Sequence, residues 1–314
     1  MPCYSPLTGY RSKTLTKNGK RKIVFNTNDG FVDLVVQVPC GRCIGCRIDY
    51  SRQWAVRCMH EASLHDQNCF ITLTYDNEHL PVDHSISKKE IQRFWKRLRK
   101  YTGKKIRYFC CGEYGEQNNR PHYHAILFGF DFNDKTLFSK KNGNLLFRSN
   151  TLEKAWKFGF STIGTVTFES CAYVARYVMK KRKGKPEQVD ANGISNAEHY
   201  RLVDADTGET FDVEPEFCTM SLKPGIGANW FDLYSDSDLD KDYLTIAGVK
   251  HKLPNYYDYL LKRENENAFN LRKGKRIHEM RKKALEYTPD RLVVKEKVLK
   301  SKLNKLTRGY ENDA

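Results

Sequence analysis

Hydrophobic positions along the chain repeat with period two in some runs and with the helical period in others, which predicts an α+β fold. Lys22-Ile23-Val24-Phe25 and Phe31-Val32-Asp33-Leu34-Val35-Val36 flank the turn signal Asn28-Asp29-Gly30 and predict a hairpin over 21–38. Cys69 to Tyr75 is a run of β-branched and aromatic residues and reads as a strand. Ile106 to Glu113, His122 to Phe130 and Thr162 to Phe168 read as three more. Helical spacing marks about Asp49 to Ser63, Ser87 to Tyr101, a short segment around Trp156, and Glu169 to Lys181. Ser87 is a candidate cap, with Glu90 three residues on. At about 100° per residue, Cys171, Val174, Ala175 and Val178 gather on one side of the last helix. Tyr173, Arg176, Tyr177 and Lys180 gather on the other, so the tyrosines are expected off the core stripe.

Residues 183–215 are polar, with Gly184, Gly193 and Gly208, and read as an insertion or a flexible connection. From about Asn255 the chain is rich in Lys, Arg and Glu, with helices expected around 272–286 and 290–307. The expected organisation is a cysteine-rich hairpin and helix (1–64), a strand-rich core (65–182), an insertion and core-completing segment (183–250) and a basic helical region (251–314). No internal repeat is present.

Composition changes this picture in one respect. Among 314 residues, Lys and Arg exceed Asp and Glu by 16, with a pI near 9.3, and such an excess usually serves an anionic polymer or surface. The start, Met1-Pro2-Cys3-Tyr4-Ser5, lacks the pattern of a signal peptide, and no apolar stretch approaches the roughly 20 residues that span a bilayer. Ten cysteines are then expected to be reduced or on metal in a reducing cytoplasm. Cys40-x-x-Cys43-x-x-Cys46 has metal-like spacing but needs a fourth ligand; Cys3 is the first candidate and Cys58 the alternative. A structural zinc on Cys3, Cys40, Cys43 and Cys46 is the expectation.

The candidate chemistry lies in the strand-rich segment. Within a strand, residues two apart share a face, so His122 and His124 project together. If the loop Tyr114 to Pro121 closes a symmetric hairpin, Glu113 stands opposite His122. Two imidazoles with a carboxylate suit Mg or Mn; Glu116 is the fallback ligand if the register slips. Tyr173 and Tyr177 are helix neighbours four residues apart. A phenol with a pKa of about 10 needs a metal or a cation to act as a nucleophile, and Arg176, Lys180 and Lys181 supply cations nearby.

These motifs resemble the HUH endonucleases that start rolling-circle replication. Phe70-Ile71-Thr72-Leu73-Thr74-Tyr75 is similar to their first motif, Arg120-Pro121-His122-Tyr123-His124 to the metal-binding second, and Tyr173-x-x-x-Tyr177-x-x-Lys180 to the third in its two-tyrosine form. The resemblance is closest to initiators of microviruses of the gokushovirus branch, through Cys40 to Cys46, Arg52-Gln53-Trp54-Ala55 and Lys223-Pro224-Gly225-Ile226-Gly227. It covers roughly residues 1–235. One departure is Tyr123, where the family usually has an apolar residue; its side chain is expected to point away from the metal face. The resemblance implies a central antiparallel sheet of about five strands flanked by helices. It implies Mg or Mn on Glu113, His122 and His124, and catalytic roles for Tyr173, Tyr177 and Lys180. One tyrosine would form a 5′-phosphotyrosine link and the other would allow closure of a circle, with no nucleotide cofactor. Single-stranded and duplex origin DNA, a host polymerase and (since no Walker motif is present) a host helicase are the implied partners, in a bacterial cytoplasm and away from membranes. The basic tail is expected to contribute origin binding through phosphate contacts. A relaxase or transposase of the same superfamily is an alternative, although relaxases usually place their tyrosines before the histidine motif. A non-catalytic zinc-bearing nucleic-acid-binding protein is another.

Overall fold

The computed structural model describes residues 3–115, 119–141, 143–177, 182, 185–189, 193–203, 207–238 and 242–305. The chain divides into two compact units, Met1–Tyr50 with Phe269–Arg308, and Ser51–Ala268.

In the first unit, β1 (Leu7–Leu15), β2 (Arg21–Val24) and β3 (Gly30–Val38) form an antiparallel sheet in the order β2-β1-β3. The expected hairpin over 21–38 is therefore replaced: its two strands do not pair with each other, and β1 lies between them. The Gly19 amide donates to the Thr16 carbonyl (2.9 Å) and folds β2 back onto β1. On the other side, the bare Cα of Gly30 packs on Tyr10, where an added Cβ would stand 2.4 Å from the Tyr10 Cβ. β1 escaped the sequence reading because Gly9, Arg11, Ser12 and Lys13 interrupt its apolar pattern. Pairing of Leu7 with Val38 draws the N-terminal segment to the end of β3. The helix expected from Asp49 starts earlier: α1 spans Ile44–Ala62 and carries Cys46 in its first turn.

The second unit is built on seven antiparallel strands. They are β4 (Asn68–Tyr75), then after α2 (Lys88–Thr102) β5 (Arg107–Tyr114), β6 (Pro121–Phe128), β7 (Lys135–Lys141) and β8 (Asn144–Ser149), then after α3 (Asn150–Ala155) β9 (Gly159–Gly164). α4 (Phe168–Tyr177), α5 (Asn196–His199) and the small pair β10 (Arg201–Val203) and β11 (Thr210–Asp212) precede β12 (Phe217–Met220). The order is β12-β5-β6-β4-β9-β8-β7. About five strands were expected; the β7–β8 hairpin adds a partly exposed edge, with Leu137 and Phe138 in water, whose Lys-rich ends hid it from the pattern. The strand expected over Thr162 to Phe168 ends at Gly164 instead. Thr167 and Ser170 exchange amide-to-hydroxyl hydrogen bonds (3.1 and 2.9 Å) at the start of α4, so the β-branched residues there serve as a cap. Ser87 caps α2 as expected, accepting from the Glu90 amide.

Alternation along the strands gives the sheet two buried faces. Ile71, Leu73, Cys110, Tyr123, Ala125 and Leu127 pack with Phe94, Trp95 and Leu98 of α2 and with Leu152 and Ala155 of α3. Phe70, Phe109, Cys111, Ile126 and Phe128 pack with Ala55 and Cys58 of α1 and with Cys171, Tyr173, Val174 and Ala175 of α4. Tyr123 does point away from the histidine face: its hydroxyl accepts from the Ser87 amide (2.8 Å) at the start of α2. Burying this tyrosine is tolerated because its hydroxyl is satisfied.

A third cluster joins Val56 to Trp230 and Phe231 of α6 (Ala228–Asp238), to Leu244 of the hairpin β13 (Tyr243–Ile246) and β14 (Val249–Lys252), to Leu253, and to Tyr257 of α7 (Asn255–Glu264). Residues Asn255–Glu264 thus belong to a core, not to a free basic tail. Lys223-Pro224-Gly225-Ile226-Gly227 acts as a clasp here. The buried carboxylate of Glu61 accepts from Arg107 Nε (2.5 Å) and from the Gly227 amide (2.8 Å), and Arg107 also donates to the Pro224 carbonyl (3.1 Å). Gly227 has φ 78°, and a Cβ there would stand 2.6 Å from the Tyr257 hydroxyl, so only glycine fits. The first unit is completed by α8 (Glu266–Lys282), a turn over Ala284–Tyr287 and α9 (Pro289–Asn304). Among the described residues, no helix is long and apolar enough to cross a membrane.

Candidate active site and cysteine cluster

β5 and β6 pair with Glu113 opposite His122 and Cys111 opposite His124. All three side chains, Glu113, His122 and His124, are buried on the face that α4 covers, and their ligand atoms lie within 4.8 Å of one another. Glu116, the fallback ligand, lies outside the described residues.

The Nε2 atoms of both imidazoles converge on one carboxylate oxygen, Glu113 Oε1, at 3.0 Å from His122 and 2.9 Å from His124. His122 Nδ1 lies 2.9 Å from the Arg120 carbonyl oxygen, which can only accept, so that nitrogen carries its proton. In the neutral ring Nε2 then presents a lone pair toward the carboxylate. Thr72 Oγ1 stands 3.0 Å from His124 Nδ1 and holds the second ring from its other nitrogen. Lone pairs gathered on one carboxylate call for a cation, and two nitrogens with a hard oxygen fit a divalent metal. When the rings are protonated they donate instead: burial works against ionised Glu113, yet such hydrogen bonds from His122 and His124 hold its carboxyl below the usual range.

Two of these supports went unassigned in the sequence. Thr72 sits within the first motif, and its position opposite His124 in β4–β6 pairing is the signal that would have found it. Arg120 precedes the histidines; its guanidinium donates to the Tyr75 carbonyl (3.0 Å) and to Asn77 Oδ1 (2.6 Å), which pins the strand end carrying His122.

Tyr173 departs from expectation. It is 7% exposed and shares the core cluster of Cys171, Val174 and Ala175. α4 packs against both β5 and β6, so more of its circumference is covered than an apolar stripe alone suggests. The Tyr173 ring meets His124 edge to face, with centroids 5.0 Å apart, and packs edge-on against Phe70. The Arg176 guanidinium stands 5.6 Å from the Tyr173 ring centroid. Tyr177 ends α4, but its side chain lies outside what is described, as do Lys180 and Lys181.

In the first unit Cys3, Cys40, Cys43 and Cys46 bring their sulfurs within 4.8 Å of one another. The backbone amides of Tyr4 and Cys40 point at Cys43 Sγ (3.3 Å) and Cys3 Sγ (3.2 Å), and those of Arg42 and Cys43 at Cys40 Sγ (3.4 and 3.3 Å). Amides aimed at sulfur favour thiolates. Burial disfavours the Cys43 thiolate, but amide and thiol hydrogen bonds outweigh it and bring this group down to about 7. Four thiols in one cluster fit a tetrahedral zinc. Cys58, the alternative fourth ligand, is instead buried in the second unit's core.

Residues 68–182 match the family described as Replication-associated protein ORF2/G2P. The chain is 34% identical over 250 residues to Replication-associated protein ORF2 of Spiroplasma virus 4, covering 74% of this chain and 70% of that protein. It is 31% identical over 230 residues to Replication-associated protein VP4 of Bdellovibrio phage phiMH2K, covering 70% and 65%. To Replication-associated protein ORF4 of Chlamydia phage 1 it is 30% identical over 235 residues, covering 72% and 54%. No solved structure matches the chain.

Proposed function

Because the chain belongs to the family of phage replication-associated proteins, we propose that it is an HUH-type DNA nickase and strand transferase that initiates rolling-circle replication. The observation that carries this reading is the convergence of His122 and His124 on Glu113, with the Tyr173 ring set against His124.

Glu113, His122 and His124 would hold Mg or Mn, which supplies Lewis acidity at the scissile phosphate when bound. The tyrosine phenolate oxygen attacks the phosphorus, the bond from phosphorus to the 3′-oxygen breaks, and that oxygen takes up a proton. The product is a 5′-phosphotyrosine link and a free 3′-hydroxyl for a host polymerase. In closure the 3′-oxygen attacks the phosphotyrosine phosphorus and the phenol leaves, so the phosphodiester is conserved and no nucleotide is consumed. Arg176, 5.6 Å from the Tyr173 ring centroid, supplies a cation beside the site, and Lys180 is assigned to phosphate neutralisation. Origin DNA, in single-stranded and duplex form, is the substrate, with a host helicase for unwinding, inside the bacterial host.

Incubation with labelled single-stranded origin DNA and Mn tests this: a covalent protein–DNA adduct is expected. Salt-sensitive binding without any adduct would leave a nucleic-acid-binding protein without catalysis.

Two further outcomes follow from the supports of the sites. Thr72→Val removes the hydrogen-bond partner of His124 Nδ1, so Mn affinity should fall about 10- to 100-fold, and Thr72→Ser should restore it. Titration calorimetry with Mn checks this; equal affinity in Thr72→Val would show that the ring is held by packing alone. For the cysteine cluster, elemental analysis should return one zinc per chain. Cys40→Ser or Cys43→Ser should lose zinc and solubility before cleavage chemistry, since structural zinc contributes folding energy. Purified protein without zinc or another transition metal would reject the assignment.

A further inference from the structure

The two units differ sharply in charge. Met1–Tyr50 with Phe269–Arg308 carry 22 Lys and Arg against 7 Asp and Glu, so +15 of the chain's net +16 belongs to this unit. Ser51–Ala268, which holds Glu113, His122 and His124, carries 32 Lys and Arg against 29 Asp and Glu. A nearly balanced unit attracts a polyanion weakly, whereas +15 on fewer than a hundred residues attracts it strongly.

The excess is displayed on the surface. On the sheet and its turn, Arg11, Lys13, Lys17, Lys20 and Lys22 are exposed. On α8 and just after it, Lys273, Lys275, Arg281, Lys282 and Lys283 are exposed, as are Lys297, Lys300 and Lys302 on α9. Three of the acids here are paired: Glu279 with Lys282, Glu286 with Arg291 and Lys295, and Glu296 with Lys300. α8 fully buries none of its residues and keeps only a half-buried stripe of Ala268, Phe269, Arg272 and Arg276, so most of its surface is open to a ligand. Among the described residues of this unit exposed aromatics are few, chiefly Phe25, Tyr50 and Tyr287. Single-stranded recognition rests on stacking platforms, so a surface rich in cations and poor in rings fits the phosphates of a duplex better.

We propose that the unit formed by the two ends of the chain is a duplex-DNA-binding body, gripping phosphates through the lysines of β1, β2, α8 and α9. The cluster of Cys3, Cys40, Cys43 and Cys46 fastens the N-terminal segment to the end of β3 and the start of α1, and so fixes the sheet that displays part of this charge pattern. The basic tail then acts only together with the N-terminal sheet. This proposal rests on the nickase reading for one point, the choice of DNA as the polyanion.

The test uses the full chain with three sets of neutralising substitutions of equal size. Lys13→Gln, Lys20→Gln and Lys22→Gln alter the sheet; Lys273→Gln, Lys275→Gln and Lys283→Gln alter α8 and its end. Lys89→Gln, Lys96→Gln and Lys100→Gln, on exposed positions of α2, serve as the control. Binding of a short duplex is followed across salt concentrations, and cleavage of a saturating single-stranded oligonucleotide is measured alongside. Each phosphate contact contributes about 0.9 to the salt slope on duplex DNA. Either of the first two sets should flatten that slope by about 2 to 3 and weaken duplex binding about tenfold or more, while single-stranded cleavage stays at the parent rate. The α2 set should leave duplex binding near the parent value. Duplex affinity and slope unchanged in the first two sets, an equal loss in the α2 set, or an equal loss of single-stranded binding would each overturn the proposal. If the parent binds duplex steeply with salt yet forms no adduct, the nickase reading fails and the duplex-binding body stands.

Discussion

Replacing His122 or His124 by alanine should abolish nicking, with a loss of at least about a hundredfold in cleavage rate, the scale on which enzymes lose a single preorganised electrostatic contact. DNA binding should remain within a few-fold, because Lys and Arg contacts to phosphate supply most of that affinity. The physical reason lies in the shared carboxylate oxygen. Each imidazole contributes one of the donor atoms around Glu113 Oε1, so losing either leaves an incomplete ligand set. His122→Ala also removes the hydrogen-bond partner of a fully buried carboxylate, at a cost of roughly 1–3 kcal/mol in stability. Thermal melting therefore accompanies the rate measurement, and His122→Gln and His124→Gln serve as variants that keep polarity. Full nicking by both alanine variants in chelating buffer would remove the metal from the mechanism.

The double variant Tyr173→Phe, Tyr177→Phe should form no covalent adduct at all, while keeping its fold and DNA binding. Each phenylalanine keeps the ring and removes only the nucleophilic oxygen. For Tyr173 this preserves the edge-to-face contact with His124 and the packing on Phe70. At least one single variant should still form the adduct with an oligonucleotide, and both should fail to produce closed circles, since closure uses the tyrosines in alternation. Adduct formation by the double variant, mapped to another residue by mass spectrometry, would displace both tyrosines from the mechanism.

Much of the site was legible because short-range geometry determines it. Residues two apart in a strand must share a face, and a hairpin closed on the loop after Tyr114 must set Glu113 against His122. The spacing of Cys40, Cys43 and Cys46 likewise needs only a turn and the start of a helix. The strands β4, β5 and β6 carry dense apolar and β-branched runs because both faces of the sheet are buried, and that density is visible without any partner.

Other features depended on residues distant in the chain. β1 has no continuous apolar face, and its place between β2 and β3 follows from the fit of Gly30 on Tyr10. Helical period places Tyr173 off the core stripe, since periodicity describes one helix and not the width of the surface laid over it. The clasp of Glu61 by Arg107 and the Gly227 amide joins residues up to 166 positions apart. No local pattern announces it.

By itself the sequence determined the chemistry present, its order along the chain, the secondary structure of the strongly patterned segments and the excess of positive charge. These depend on residue type and on neighbours within a turn or a hairpin. Only the tertiary structure decided that Thr72 orients His124, that Tyr173 is packed against it, that Cys3 joins the other three cysteines, and that nearly all the net charge belongs to a unit assembled from both chain ends. Those outcomes are set by which surfaces bury each other, a choice that long-range packing makes after the local elements are formed.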